Sequence, residues 1–152
     1  MSNGPLHGVK VLELGVWVAG PAATGIMADW GANVIKVEPP TGDPQRAVFG
    51  ALGVADQAGV PPFEIDNRGK RSVVLDLRSP KGQTQAVQLA LAADVVLVNA
   101  RPGAMEKLGL GAEQLLAQSS RLVYGRVSAF GQQGPASIRP GFDIAAQARS
   151  EE

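Results

Sequence analysis

A strand, a helix and a second strand follow one another within the first forty residues, and this pattern most restricts the fold. Residues 9–14 and 33–38 are short apolar runs rich in β-formers, and residues 21–30 between them have a helical composition. Because parallel neighbouring strands need a crossover connection, this arrangement indicates a βαβ unit. We therefore predict an α/β fold, a doubly wound, Rossmann-like parallel sheet with helices on both faces.

The first crossover contains a glycine-rich loop at residues 15–20, at the carboxyl end of a strand, where open α/β sheets bind ligands. The loop fits neither common phosphate motif. Gly20 is followed by proline rather than by the Lys-Ser/Thr of a P-loop, and the glycines lack the G-x-G-x-x-G spacing. Glu38 imitates the acidic ribose partner of an NAD site, but an ordinary carboxylate at a strand end is the commoner explanation.

Composition narrows the classes of function. The chain has 152 residues, 45% hydrophobic content and a formal net charge of zero, so electrostatics gives no case for nucleic acid or a membrane surface as partner. No apolar run approaches the ~20 residues of a membrane span, and the N-terminus lacks a signal-peptide pattern, so we expect a cytoplasmic protein. With no cysteine and a single histidine, His7, we expect neither thiol chemistry nor a metal site nor a Ser/His/Asp triad.

Beyond Glu38 the sequence predicts one long loop and then a further alternation of strands and helices. Residues 39–72 are rich in Pro and Gly and predict a loop, whose cationic end (Arg68, Lys70, Arg71) is either a solvated turn, the preferred interpretation, or a phosphate contact. Strands are predicted at 72–77, 94–99 and 122–128, and helices at 80–93, before Gly109, at 112–118 and from 143 to 150.

Six segments resemble the N-terminal part of the class III CoA-transferases, the CaiB/BaiF family, in family order and spacing. They are PLHGVKVLELGVWVAGPAAT, GANVIKVEPPTGD, NRGKRSVVLDLRSPKG, ADVVLVNARPGAMEKLGLG, RLVYGRVSAFGQQGP and RPGFDIAAQA. Each segment alone is a weak signal, but six of them in the same order form a specific signal for this family. Family members are considerably longer, so the resemblance implies that residues 1–152 are the N-terminal part of a large domain. It also implies an interlocked homodimer for the full-length protein.

The activity implied by the resemblance is acyl-CoA:carboxylate CoA transfer. In this chemistry an Asp attacks the donor thioester, CoA thiolate returns to form an aspartyl-CoA thioester, and the acceptor acid resolves it. That Asp is expected downstream of Glu152, so no catalytic residue is assigned here and we expect the chain alone to be inactive. The implied partners are an acyl-CoA and a small carboxylic acid, and no cofactor is implied because the CoA thioester is a substrate.

The resemblance also gives binding roles to single positions. Val18 and Ala19 match the loop that approaches the thioester, and Val18 stands where oxalate-using formyl-CoA transferases carry Gln, which argues against an oxalate enzyme. The other matches are Leu75 and Arg78 beside the CoA nucleotide, Asn99 with its neighbour Ala100 at the pantetheine end, Lys107 near the adenosine phosphates, and Arg139 and Phe142 near the substrate.

Phe142 bears on the alternatives within the family. Related α-methylacyl-CoA racemases carry a His at this position, followed by Asp, to move the α-proton, and a Phe cannot take a proton. The sequence therefore favours a transferase over a racemase-like enzyme, and Asp143 is interpreted as a supporting carboxylate. The ending QARSEE leaves a third interpretation, a truncated CoA-binding fragment without catalysis.

The strands predicted at 95–99 and 122–128 are apolar enough to be packed against helices on both faces. However, the sequence contains few long amphipathic helices besides the one predicted at 80–93. We therefore expect the 152-residue chain to expose apolar surface and to self-associate or need a partner.

Overall fold

The computed structural model describes residues 4–53 and 60–141 and contains one parallel sheet. Its strands are β1 (Lys10–Leu14), β2 (Asn33–Glu38), β3 (Arg71–Val74), β4 (Val95–Val98) and β5 (Val123–Arg126). The helices are α1 (Ala19–Asp29), α2 (Pro44–Ala51), α3 (Pro61–Asn67), α4 (Pro80–Leu91), a 3₁₀ turn (Glu106–Leu108) and α5 (Ala112–Leu116). The predicted α/β fold is confirmed.

The strand order, β3-β2-β1-β4-β5, places β1 at the centre of the sheet. Leu12 in β1 pairs with Ile35 of β2 on one side and with Val96 of β4 on the other. Following the chain, β2 and β3 are added on one side of β1, and β4 and β5 are then added on its other side. A crevice opens at the carboxyl ends of β1 and β4, where the direction of winding reverses.

Each face of the sheet carries its own apolar core. On one face Leu12 and Val98 pack with Ala86 and Ala90 of α4, all buried, and small side chains let this helix lie close to the strands. On the other face the buried Val11 and Val34 pack together with Ala32. Cover on both faces explains why the central strands are almost continuously apolar.

Two helices occupy the segment that the sequence predicted as loop. Pro44 and Pro61 stand in the first turn of α2 and α3, where a proline's missing N–H costs nothing. Asp43 completes the start of α2, since its side chain accepts a hydrogen bond from the backbone N–H of Gln45 at 2.9 Å. The prediction of a plain loop at 39–72 was therefore wrong.

The other predicted elements are present with shifted ends. The strand at 33–38 has its predicted bounds, whereas β3, β4 and β5 are shorter than predicted, and α1 begins at Ala19. The helix predicted at 143–150 lies outside the described residues. Apolar side chains are exposed on both edge strands, with Val74 at 61% and Val123 at 60%. None of the described helices has the length and apolar character needed to cross a membrane.

Candidate functional site

Loops from four neighbouring strands meet at the carboxyl edge of the sheet and enclose a cleft of about 410 Å³. Its walls are largely apolar, with Leu14 and Val37 at strand ends and Met105 in the loop after β4. The other lining residues include Gly15 and Val16 after β1, Thr41 after β2, Leu75 and Arg78 after β3, and Asn99 and Ala100 after β4. The position and the lining are those of a small-molecule site in an α/β sheet.

Asn99 ties the loops after β1 and β4 together. Its Oδ1 accepts a hydrogen bond from the N–H of Val16 at 3.0 Å, and its Nδ2 donates to the carbonyl of Val16 at 2.6 Å. Gly20 allows this approach, because a Cβ there would lie 3.2 Å from the Asn99 side chain. The amide keeps one N–H and one lone pair beyond these two bonds, so Asn99 fixes the crevice and can still contact a ligand.

Residues 15–18, the switch loop, carry an unusual backbone conformation. Trp17 has φ 64°, and it is the one non-glycine residue with positive φ between 4 and 53 or between 60 and 141. A residue with a Cβ is held there at a cost of about 1 to 3 kcal/mol, and such strain concentrates at functional sites. The N–H of Trp17 donates to Asp43 Oδ1 at 3.3 Å, so the segment that begins α2 also holds this loop.

Beneath the switch loop lies a group of four charged side chains, the ion cluster, formed by Glu13, Lys36, Asp43 and Lys70. Glu13 and Lys36 face each other across the β1–β2 register. Lys36 Nζ lies 2.7 Å from Glu13 Oε1 and 2.8 Å from Asp43 Oδ2, and Lys70 Nζ lies 2.7 Å from Glu13 Oε2. These side chains are at most 2% exposed, and their formal charges cancel.

The ion cluster also binds backbone carbonyls at the start of the switch loop and in the first turn of α1. Lys36 Nζ donates to the carbonyl of Gly15 at 2.9 Å, and Lys70 Nζ donates to that of Pro21 at 2.8 Å. Thr24 adds a hydroxyl that donates to Glu13 Oε2 at 2.5 Å. Burial lowers the pKa of Lys70 below its usual value, because desolvation outweighs the attraction of Glu13.

Glu38 has the structural role that the sequence favoured. It is buried, and its oxygens accept hydrogen bonds from Arg46 at 3.1 Å and from the hydroxyl of Ser72 at 2.7 Å. Burial alone would raise the pKa of this carboxyl, but the hydrogen bonds from Arg46 and Ser72 outweigh it and hold the pKa below its usual value. With its oxygens engaged in this way, Glu38 is not presented to a ribose.

The residues matched by resemblance separate into three groups. Leu75, Arg78, Asn99 and Ala100 line the cleft. The second group is exposed and does not line the cleft: Val18 and Ala19 at the start of α1, Lys107 in the 3₁₀ turn, and Arg139 in the segment after β5. Phe142 lies outside the described residues. The structure thus brings four of the matched positions to one cavity, and the binding roles remain predictions.

The cationic segment at 68–71 forms the turn before β3, in line with the preferred interpretation, and its side chains have partners within the chain. Arg68 pairs with Asp29 at 2.5 Å, and Arg71 donates to the side chain of Asn33 at 2.6 Å. Lys70 is buried in the ion cluster. The predicted solvated turn is therefore confirmed at Arg68 and Gly69 but not at Lys70, and the phosphate contact stays a prediction.

The ion cluster was not predicted from the sequence, although one signal for it was present. Glu13 and Lys36 interrupt two apolar strands at equivalent positions, and opposite charges inside a buried parallel sheet must be paired. As for metals, the described part of the chain contains no group of three or more His, Cys, Asp and Glu side chains arranged to hold an ion.

Comparison of the chain with known proteins shows the family to which it belongs. A family model described as CoA-transferase family III matches residues 6–150. The chain belongs to this family. A crystal structure of a CaiB/BaiF family protein from Brucella suis has a TM-score of 0.90 and 38% identity, over 97% of this chain and 39% of that one.

Relatives with named activities match over nearly the whole chain. The chain is 43% identical over 150 residues to a probable fatty acyl-CoA transferase of Mycobacterium tuberculosis, covering 96% of this chain and 37% of the relative. It is 45% identical over 139 residues to a succinyl-CoA–D-citramalate CoA-transferase of Chloroflexus aurantiacus, covering 91% and 34%. The chain therefore spans little more than a third of the length of these relatives.

Proposed function

We propose that the chain forms the CoA-binding part of an acyl-CoA:carboxylate CoA-transferase, which moves CoA between a thioester and a carboxylic acid. The observation that carries this proposal is the cleft at the switch point, because four positions matched to the family's CoA site line one cavity there. The family membership, together with relatives named as CoA-transferases, supports the same reaction class.

The chemistry of the cleft suits an acyl-CoA. Apolar walls at Leu75 and Met105 can pack against the pantetheine arm or the adenine ring, which bring little charge. At the mouth, the Arg78 side chain is 86% exposed and pairs with Asp76 at 3.2 Å. An exposed pair of this kind contributes little stability, so the guanidinium can exchange it for a phosphate at small cost.

The switch loop supports a role beside the thioester. It leads into α1, where Val18 provides no side-chain cap. Ala19 is exposed at the first position of this uncapped helix, so its N–H can face a partial negative charge such as that on a thioester oxygen. We assign the covalent step to an aspartate beyond Glu152, so this chain binds and orients the thioester and does not attack it.

Calorimetric titration of the 152-residue chain with CoA and with dephospho-CoA tests the proposal. We expect binding of both, and replacement of Arg78 and Lys107 by Ala should weaken CoA binding at least about tenfold while affecting dephospho-CoA less. Arg121→Ala is the matched control, since this exposed arginine pairs with Asp94 at the amino edge of the sheet. No binding of CoA would refute the proposal. Equal losses for both ligands would show that these two cations do not contact the 3′-phosphate.

A further inference from the structure

The contacts of the ion cluster are directed at the backbone of the switch loop. We propose that the cluster positions this loop for an acyl-CoA thioester, with Lys36 and Asp43 as the positioning residues. The inference rests on the proposed function for the identity of the ligand, but the positioning itself can be measured without a ligand.

Consecutive loop residues are held by side chains from different parts of the fold. Gly15 is held through its carbonyl by Lys36 of β2, and Val16 through both backbone groups by Asn99 after β4. Trp17 is held through its N–H by Asp43, which precedes α2. Two successive peptide groups, 15–16 and 16–17, are thus held at both their C=O and their N–H by three side chains, more than is needed to connect a strand to a helix.

The conformation of Trp17 explains why the switch loop needs these contacts. A tryptophan with φ 64° relaxes toward negative φ unless its surroundings prevent it. Asp43 accepts the hydrogen bond from that residue, and Lys36 fixes the carbonyl two residues earlier. A loop fixed in advance loses less entropy when it binds a ligand, so the contacts favour affinity for an acyl-CoA.

Stability alone does not account for the cluster. Buried ion pairs can often be replaced by apolar residues of similar volume without loss of stability, because desolvation offsets the attraction between the charges. Here four charges are buried. In addition, Lys36 donates a hydrogen bond to a carbonyl of the switch loop, and Lys70 donates one to a carbonyl in the first turn of α1. Apolar side chains could fill this space, but they could not bind those carbonyls.

The test compares Asp43→Asn with Asp94→Asn. The asparagine carbonyl can still accept from the N–H groups of Gln45 and Trp17, but as a neutral acceptor it binds them more weakly than the carboxylate does. Asparagine also turns an amide N–H group toward Lys36, where a carboxylate oxygen lay. Asp94 accepts from the N–H of Lys10 at 2.9 Å at the opposite edge of the sheet and serves as the matched control. We expect Asp43→Asn to speed hydrogen exchange of the Trp17 amide and to weaken acetyl-CoA binding, each at least about tenfold. Asp94→Asn should change neither quantity.

A balanced double variant covers the case in which Asp43→Asn does not fold. Lys36→Met with Asp43→Asn removes one charge of each sign and leaves the Glu13–Lys70 pair intact. We expect it to unfold near the wild-type denaturant midpoint, yet to show the fast Trp17 exchange and weak acetyl-CoA binding. Wild-type affinity or wild-type Trp17 exchange in this folded variant would overturn the inference. If the wild-type chain binds no acetyl-CoA, the proposed function fails, whereas unchanged Trp17 exchange counts against the positioning role alone.

Discussion

Glu13→Gln should be among the most destabilising conservative substitutions in this chain. The carboxylate is fully buried and lies 2.7 Å from the ammonium groups of both Lys36 and Lys70. Glutamine keeps the shape of the side chain but removes its charge. Two buried ammonium groups are then left with Asp43 as the single carboxylate of the ion cluster.

The size of the effect follows from the imbalance of buried charge. Removing one partner of a buried ion pair costs about 3 to 5 kcal/mol, because the remaining charge stays desolvated without compensation. The free energy of unfolding of a domain is about 5 to 15 kcal/mol, so this loss is a large fraction of it. For a chain of this length each kcal/mol lowers Tm by about 2 to 4 °C, so we expect a fall of roughly 6 to 20 °C.

Urea unfolding of four variants measures the effect and its cause: Glu13→Gln, Lys70→Met, the two combined, and the control Glu113→Gln. Lys70→Met combined with Glu13→Gln restores the balance, leaving Lys36 with Asp43, so the double variant should be more stable than the sum of the single losses predicts, by about 1 kcal/mol or more. Glu113→Gln, at an exposed position on α5, should change stability by less than about 0.5 kcal/mol. A loss below about 1 kcal/mol for Glu13→Gln, or strictly additive single losses, would refute this explanation of the ion cluster.

Three other measurements test separate features. The pKa of Glu38 is depressed, so its ionised form stabilises the fold above pH of about 4.5 and this contribution is lost as pH falls through the lower folded value. Glu38→Gln should therefore unfold more easily than wild type at neutral pH in urea titrations, and the difference should shrink in acid; a constant difference would contradict this. Gly25→Ala should cost about 1 to 3 kcal/mol in the same assay, because a Cβ there would lie 2.8 Å from the backbone oxygen of Asp66; a neutral effect would show that α1 and α3 separate freely. Exposed Val74 and Val123 predict self-association, which sedimentation at low micromolar concentration detects, and a monomer that binds no apolar dye would contradict it.

The sequence predicted the sheet well because its signals are local. Short apolar runs separated by crossovers predict parallel strands wherever they occur, and the strand at 33–38 was placed with its observed bounds. The helices α2 and α3 were missed because prolines were taken as marks of a loop. Pro44 and Pro61 instead begin helices, and Asp43 supplies the cap for the first of them.

The candidate site was predictable only in part. The resemblance assigned Leu75 and Asn99, in two predicted strands, to the CoA site, and both residues line the cleft. The carboxyl ends of parallel strands share one edge, which is why these two positions come together. The ion cluster depends on contacts between distant parts of the chain. Lys70 lies 57 residues from Glu13, and no local pattern links these two positions. The positive φ of Trp17 had no local signal either, since glycine is the residue that usually marks such a conformation.

The proposed function requires that the cleft at the carboxyl edge of the sheet binds CoA. Hydrogen exchange of the backbone amides, measured with and without CoA, tests it most directly because it locates the ligand along the chain. If CoA occupies the cleft, exchange should slow in the loops at residues 15–18, 75–79 and 99–105 and stay unchanged at the amino edge around Lys10 and Asp94. Protection confined to other segments, or uniform exchange with and without CoA, would contradict it.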